Sequence, residues 1–477
     1  MTTSTVEFHK RSLLQRVLPT ACAGLLVFTV VAITALVVEQ RRQIAALKAT
    51  LPQAIVLPES EAVVRETVIE LNSAAKTDLA TSLPLEDALP KAIAPPPDVL
   101  PLGHGKGLDN FQAALFALAN GARTEPVTIL HIGDSHIASD SLTRGLRQRF
   151  QHAFGDAGRG FIGPPDAYKY FFADGLKIEQ TGWTGANSFA GAPGSFGLAG
   201  TRLTANTPGA RMSVAAKTGR FDFIEVRLLR QPAGGIVRLS GAGASSQTDT
   251  GGESGIATVR LDGPLDQVEI TPAGNGAVTI LGITTGRSQN GVRYVNLGIP
   301  GATADVMRRW TPELVGADIE SLNPDLIVIG YGTNEGFNAG LDPEAYRARL
   351  AGSLALLRDS APGASWLFLG PADGASRSIN AGLDCGGGWR VPPQLAAVRT
   401  AMQDLAREMQ ADYWDWSEAM GGPCSINRWS AEGLAAADRV HLTQRGYDRS
   451  AEALYAHLMS GYSNGVQLVS AGAELPR

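Results

Sequence analysis

Cysteine and histidine are scarce in this chain of 477 residues, which holds 3 and 7 of them. No Cys, His, Asp or Glu side chains gather at metal-ligand spacing, so neither a metal nor another cofactor is expected. Charge of one sign is lacking too. Against 46 Asp and Glu stand 41 Lys and Arg, a net charge of −5, and nothing in that balance favours nucleic acid. A clean small-residue cleavage signal is missing after the uncharged apolar run from Val17 to Val38, which is about long enough to cross a bilayer as a helix. The run therefore reads as an uncleaved anchor, with a cleaved signal peptide as the alternative. Lys10, Arg11 and Arg16 precede it and Glu39, Arg41 and Arg42 follow it, so flanking charge orients it only weakly. Cys22 precedes most of the apolar stretch, the wrong order for a lipidated cysteine. Cys385 and Cys424 both lie in Gly-rich loop sequence. In an oxidising compartment they read as one disulfide, with two unpaired loop thiols as the alternative.

Length allows two globular modules, and 55 Gly with 27 Pro suit a loop-rich chain with a β component. Residues 1–16 read as a cytoplasmic N-terminus and 17–38 as the transmembrane helix. Residues 39–100 read as a short helix followed by a Pro-punctuated linker. Apolar strands then alternate with helical periods. Val127–Ile132, Asp325–Gly330 and Trp366–Leu369 are strand-like. Leu142, Leu146 and Phe150 repeat at helical spacing, as do Tyr346, Leu350, Leu354 and Leu357, and Leu395–Met409 is another helix. This alternation predicts an α/β fold with a parallel sheet covered on both faces. Between about 166 and 285 helical periods vanish, and runs such as Phe221–Leu228 and Thr258–Leu261 alternate between Gly and Pro turns. An inserted all-β sandwich or jelly roll is expected there, either binding sugar or shaping a cleft. Residues 466–477 form a tail.

Ser135 is the residue on which a chemical reading rests. It follows the strand ending Ile132-Gly133-Asp134 and starts a helical period, a strand-to-helix turn whose N–H groups favour an anion. A serine hydroxyl needs a base, and the base needs an orienting carboxylate. Asp438 and His441, three residues apart just before the last helix, supply both. His104, His152 and His457 lack such a setting, and His131, inside the first strand, reads as structural. No binding of nucleic acid is expected, and cleavage or transfer of an acyl ester is.

Four segments, in order, resemble the conserved blocks of the SGNH (GDSL-type) hydrolase superfamily. They are Gly133-Asp134-Ser135, Asn296-Leu297-Gly298-Ile299-Pro300-Gly301, Gly332-Thr333-Asn334-Glu335 and Asp438-Arg439-Val440-His441. The resemblance covers residues 101–165 and 286–465 and implies a three-layer α/β/α sandwich. The flanks Asp140–Thr143, Arg147 and Phe154–Phe161, together with the β insert, are similar to those of exported bacterial peptidoglycan and polysaccharide O-acetylesterases. It further implies Ser135, Asp438 and His441 as the catalytic triad, and the Ser135 N–H, the Gly301 N–H and the Asn334 amide as oxyanion donors. Glu335 stands where the family usually has Asp and is expected to anchor its loop. Asp134 and His136 are expected beside the reacting groups, His136 either near substrate or as a core histidine. Gly298 is expected to serve its turn.

The expected activity is removal of O-acetyl groups from a cell-envelope glycan through an acetyl-serine. The alternatives are O-acetyl transfer to a polysaccharide from the same site, and a glycan-binding scaffold. The implied partners are the acetylated glycan, the inner membrane through residues 17–38, and a membrane acyl-transfer or polysaccharide export complex. The catalytic domain would then lie in the periplasm.

Overall fold

The computed structural model describes residues 106–168 and 171–462. The run 17–38, the linker 39–100 and the tail 466–477 lie outside the described residues.

Five strands build one sheet: β1 (Val127–Gly133), β2 (Val292–Gly298), β3 (Leu326–Gly330), β4 (Ser365–Gly370) and β5 (Asp412–Asp415). Every residue of β1, β3 and β4 is buried, as expected of strands covered on both faces. Their order is β2-β1-β3-β4-β5 and each neighbouring pair runs parallel. Parallel neighbours need long crossovers, and helices supply most of them. The helices are α1 (Asp109–Ala119) before β1, then α2 (Ser135–Ala138), α3 (Ser141–Phe154), α4 (Pro312–Leu322), α5 (Thr333–Gly336), α6 (Pro343–Ser360) and α7 (Leu395–Glu408) between strands, and α8 (Gln444–Met459) after β5, with short helices at Trp416–Met420 and Ser425–Ala431.

Side chains along β1 and β3 go alternately to the two faces. Leu130, Ile132, Ile327 and Ile329 pack with Val315 and Ile319 of α4, Leu350 and Leu354 of α6, and Val398 and Met402 of α7. Val127, Ile129 and Val328 pack with Phe111 of α1, Leu146 and Phe150 of α3, and Leu454 of α8. The result is helix, sheet, helix. The chain places β2 on one side of β1 and β3 on the other, so the strand order reverses at β1. The crevice beyond the C-terminal end of such a strand is where open α/β sheets hold their ligands.

Two antiparallel sheets lie between residues 160 and 286. The strands Gly255–Leu265, Phe221–Arg230, Val278–Gly286, Thr201–Ala205 and Thr184–Asn187 make one, with Gly160–Ile162 added on Val278–Gly286. Leu176–Thr181, Arg211–Ala216, Gln267–Pro272, Ile236–Gly241 and Ala244–Asp249 make the other. Leu203, Ile224 and Val226 of the first meet Val214, Val237, Val268 and Ile270 of the second in a core of their own.

The β segment is sewn into the α/β layers in three places. Gly160–Ile162 comes from the stretch read as α/β sequence yet pairs with the β sheet. Phe196, Leu198 and Ala199 pack in the α/β core, not in the core of the two sheets. Arg227 pairs with Asp318 of α4 at 2.7 Å, both buried, and Asp318 also accepts the Leu198 N–H at 2.9 Å.

Candidate active site

Ser135 opens α2 at the C-terminal end of β1. Asp134 caps that helix, its Oδ1 accepting the His136 N–H at 3.0 Å. The serine Oγ lies 2.9 Å from Nε2 of His441, and Nδ1 of His441 lies 2.7 Å from Oδ2 of Asp438. The other carboxylate oxygen of Asp438 accepts the N–H groups of Val440 and His441 at 2.9 and 3.0 Å. This closed turn needs Arg439 in a left-handed conformation, φ 57°. A proton on Nδ1, donated to the carboxylate, leaves Nε2 bare to accept the serine O–H. Burial alone would lower the His441 value, but the hydrogen bond and charge of Asp438 outweigh it and hold the imidazole above its ordinary 6.5. Burial pushes Asp438 up, and His441 with the turn N–H groups pulls it down to about 2, so the carboxylate is ionised at neutral pH.

Two loops complete the site. Gly301 follows β2 with φ 75°, a left-handed conformation that favours glycine. Asn334, in α5 after β3, donates from Nδ2 to the Ala302 carbonyl at 2.9 Å. One amide hydrogen thus fixes the side chain to the Gly301 loop while the second is left to donate elsewhere. Glu335 ties the same loops together: Oε1 accepts the Ala304 N–H at 2.8 Å and Oε2 the Gly332 N–H at 3.1 Å. Burial lifts its carboxyl to about 7, with the nearby Asp134 adding to the rise. Asp134 itself is pushed by burial to about 6, against hydrogen bonds from His136 and Thr333.

His136 is buried, its Nδ1 paired with the Tyr447 hydroxyl at 2.9 Å. Its ring centroid lies 5.2 Å from Trp416 and 5.3 Å from that of His441. Burial, then the His441 charge, pushes it down to about 3, so a neutral ring backs the base. His131 pairs with the Tyr294 hydroxyl at 2.9 Å inside the sheet. Gly298 ends β2 where a Cβ would stand 2.1 Å from the Ala138 backbone nitrogen, so β2 could not approach α2 with any larger residue there.

A buried charge cluster behind α2 carries more of the site than sequence reasoning assigned to it. Asp140 accepts from Arg147 at 3.1 Å, Arg159 at 3.2 Å and Thr143 at 2.6 Å. Asn296 of β2 donates to Asp140 at 3.0 Å and to the Ile137 carbonyl at 2.8 Å, which pins α2 to β2. Burial would raise the Asp140 carboxyl, but the two guanidiniums hold it well below the usual range. The available signal was local: Asp140 immediately precedes α3 and Arg147 lies about two turns into it.

Cys385 and Cys424 are joined by a disulfide. The loop it closes carries Trp389, whose ring lies under the guanidiniums of Arg377 and of Arg439 in the His441 turn, 4.6 and 5.2 Å from the centroid. Among the described residues no three His, Cys, Asp or Glu side chains gather as metal ligands would.

A doubly covered parallel sheet with a serine, a histidine and a carboxylate in line at its switch point is the frame of a serine hydrolase. The comparisons with known proteins make the class definite. Residues 273–449 match the GDSL-like Lipase/Acylhydrolase family. A solved structure of a peptidoglycan O-acetylesterase is 27% identical over 76% of this chain and 99% of its own, with a TM-score of 0.66. A family two carbohydrate esterase from Cellvibrio japonicus is 15% identical over 64% of this chain and 98% of its own, with a TM-score of 0.26. None of the curated proteins matches the chain. The chain carries a GDSL-like (SGNH) acylhydrolase domain, and its chemistry is on esters. The family match holds Gly301, Asn334, Asp438 and His441 but starts after Ser135, which reaches them through the pairing of β1 with β2 and β3.

Proposed function

We propose that this protein removes O-acetyl groups from a cell-envelope glycan, peptidoglycan first, by a covalent acetyl-serine route. The reading is carried by the unbroken line Ser135–His441–Asp438, at 2.9 and 2.7 Å, in a chain similar over 76% of its length to a peptidoglycan O-acetylesterase. His441 Nε2 takes the Ser135 proton as Oγ attacks the acetyl carbonyl. The oxyanion is met by the N–H groups of Ser135 and Gly301 and the free hydrogen of Asn334 Nδ2. Collapse expels the sugar hydroxyl, which leaves with the proton from His441. Water, deprotonated by the same nitrogen, then attacks acetyl-Ser135 and releases acetate. Asp438 holds the ring and stabilises its charged form throughout. Residues 17–38 serve as an inner-membrane anchor in this proposal, with the enzyme in the periplasm, and the Cys385–Cys424 disulfide suits such an oxidising compartment.

The test is acetate release from O-acetylated peptidoglycan and from p-nitrophenyl acetate. Ser135→Ala, still folded, should lose roughly 10⁶-fold in kcat on both. Turnover like that of the wild type would end the serine-esterase reading. Acetyl recovered on an added sugar acceptor instead of as acetate would convert it to O-acetyl transfer.

A further inference from the structure

We propose that Phe189, on a turn of the β segment, is a sugar-binding residue of this active site, its ring taking the apolar face of the pyranose that carries the acetyl ester. The proposal rests on the esterase reading above and names what that site holds besides the acetyl group.

Placement comes first. A Cβ built on Gly301 would lie 3.6 Å from two carbons of the Phe189 ring, so the ring borders the glycine to which the proposed mechanism assigns an oxyanion-donating N–H. Exposure comes second. Phe189 is 45% exposed, and among the described residues only Phe172 and Leu383 share its standing as large exposed apolar side chains. A ring that merely covered the Gly301 turn would bury its surface; this one keeps much of it in solvent.

Rigidity is the third observation. Arg309 donates to the carbonyls of Ser188 and Phe189, each at 2.8 Å. The Ser188 N–H donates to Gly200 at 2.8 Å, and Asn187 accepts the Ala190 N–H at 2.7 Å. Phe189 is therefore presented on a turn fixed from both sides, and little order remains to be bought by ligand binding. A second aromatic of the same segment reaches the same loop: the Tyr168 hydroxyl donates to the Gly298 carbonyl at 3.0 Å.

The chemistry selects a sugar. The face of an aromatic ring carries partial negative charge, and the axial C–H bonds of a pyranose present partial positive charge on a flat apolar face. Stacking removes both from water and leaves the hydroxyl edges solvated. Binding energy gathered there fixes the ester carbonyl over Ser135, which an acetyl group alone is too small to do.

Full-length Phe189→Ala and Phe189→Trp test this on O-acetylated peptidoglycan and p-nitrophenyl acetate, with thermal unfolding as the check on folding. Phe189→Ala should raise KM on the glycan by about tenfold and lower the ratio of glycan to small-ester kcat/KM by about as much. Phe189→Trp should restore that ratio. A ratio that stays at its wild-type value in Phe189→Ala overturns the proposal, whether the two activities hold or fall together; falling together would make the ring a prop for Gly301. A wild-type protein that releases acetate from neither substrate brings down the esterase reading itself, and the proposal with it.

Discussion

Asp140→Ala should be among the most damaging single changes outside the triad, and its size can be worked out beforehand. The carboxylate is buried between Arg147 and Arg159, whose side chains are 5% and 6% exposed, and Asp174 reaches Arg147 only at 3.5 Å from a more exposed position. Removing one member of a buried charge set costs about 3–5 kcal/mol, because the charges left behind stay out of water. Unfolding entropy of about 2.1 cal/mol/K per residue over roughly 350 cooperative residues turns a loss of about 4 kcal/mol into a fall in Tm of about 5 °C. The pH dependence has a definite sign. The folded Asp140 value lies below the ordinary 3.8. The carboxylate therefore contributes in full above 3.8, and its contribution is lost as pH falls below that value toward the folded one. Calorimetry of wild type and Asp140→Ala at pH 7 and at about pH 2.5 should show a gap that narrows in acid. A gap under about 1 °C at pH 7, or one that stays constant into acid, would refute the reasoning. Replacing all three with apolar residues (Asp140→Leu, Arg147→Met, Arg159→Leu) should recover most of the lost stability, since apolar replacements of buried charge sets are often neutral.

Asn334→Ala should lower kcat by roughly 10²–10³ with little change in KM; a change confined to KM would reassign the amide to substrate positioning. The pH profile of kcat/KM should rise along a limb set above 6.5, because the unprotonated His441 is the base, and Asp438→Asn should move that limb to lower pH. A limb unmoved in Asp438→Asn would remove the carboxylate from the tuning of His441. Cys385→Ala with Cys424→Ala opens a link spanning 39 positions. In the chain-entropy picture that costs about 4 kcal/mol, read as a lower Tm. Thiol labelling of protein recovered from an oxidising compartment should find neither cysteine free, and two reactive thiols there would deny the link.

What was legible in the sequence was local. Each block is a short run whose residues act within a few positions: Asp134 capping the Ser135 helix, Asp438 folding back on His441, Glu335 reaching Gly332. The layered α/β frame was legible because β1, β3 and β4 are mostly apolar and the helices between them repeat on one face. What could not be read was pairing at a distance. Nothing near Asn296 says that it donates to Asp140, or that Arg159 lies behind α2, since such contacts follow from strand order and not from any local pattern. The β segment shows the same limit. Its alternating strands announced themselves, but not which strand joins which of the two sheets, nor that Phe196–Ala199 packs in the other core. Phe189 sits in a short run of small residues, Ser188, Ala190 and Gly191, without periodicity, and only its position against Gly301 gives it meaning.

The central place of β1 has a consequence for how the protein is made. This fully buried strand has β2 on one side and β3 on the other, and neither exists until the ribosome has passed Val292. At about 5–20 residues per second, the stretch after Gly133 takes on the order of 10–30 s to synthesise. Throughout that time Val127–Ile132 is a naked apolar strand with two open edges, the kind of segment that recruits neighbouring chains. The two antiparallel sheets pair among themselves and can close first, drawing Gly160–Ile162 in and shortening the distance over which β1 must find its partners. The β segment would then be the first part of the enzyme to close, and the strand that carries the nucleophile would find its seat only afterwards.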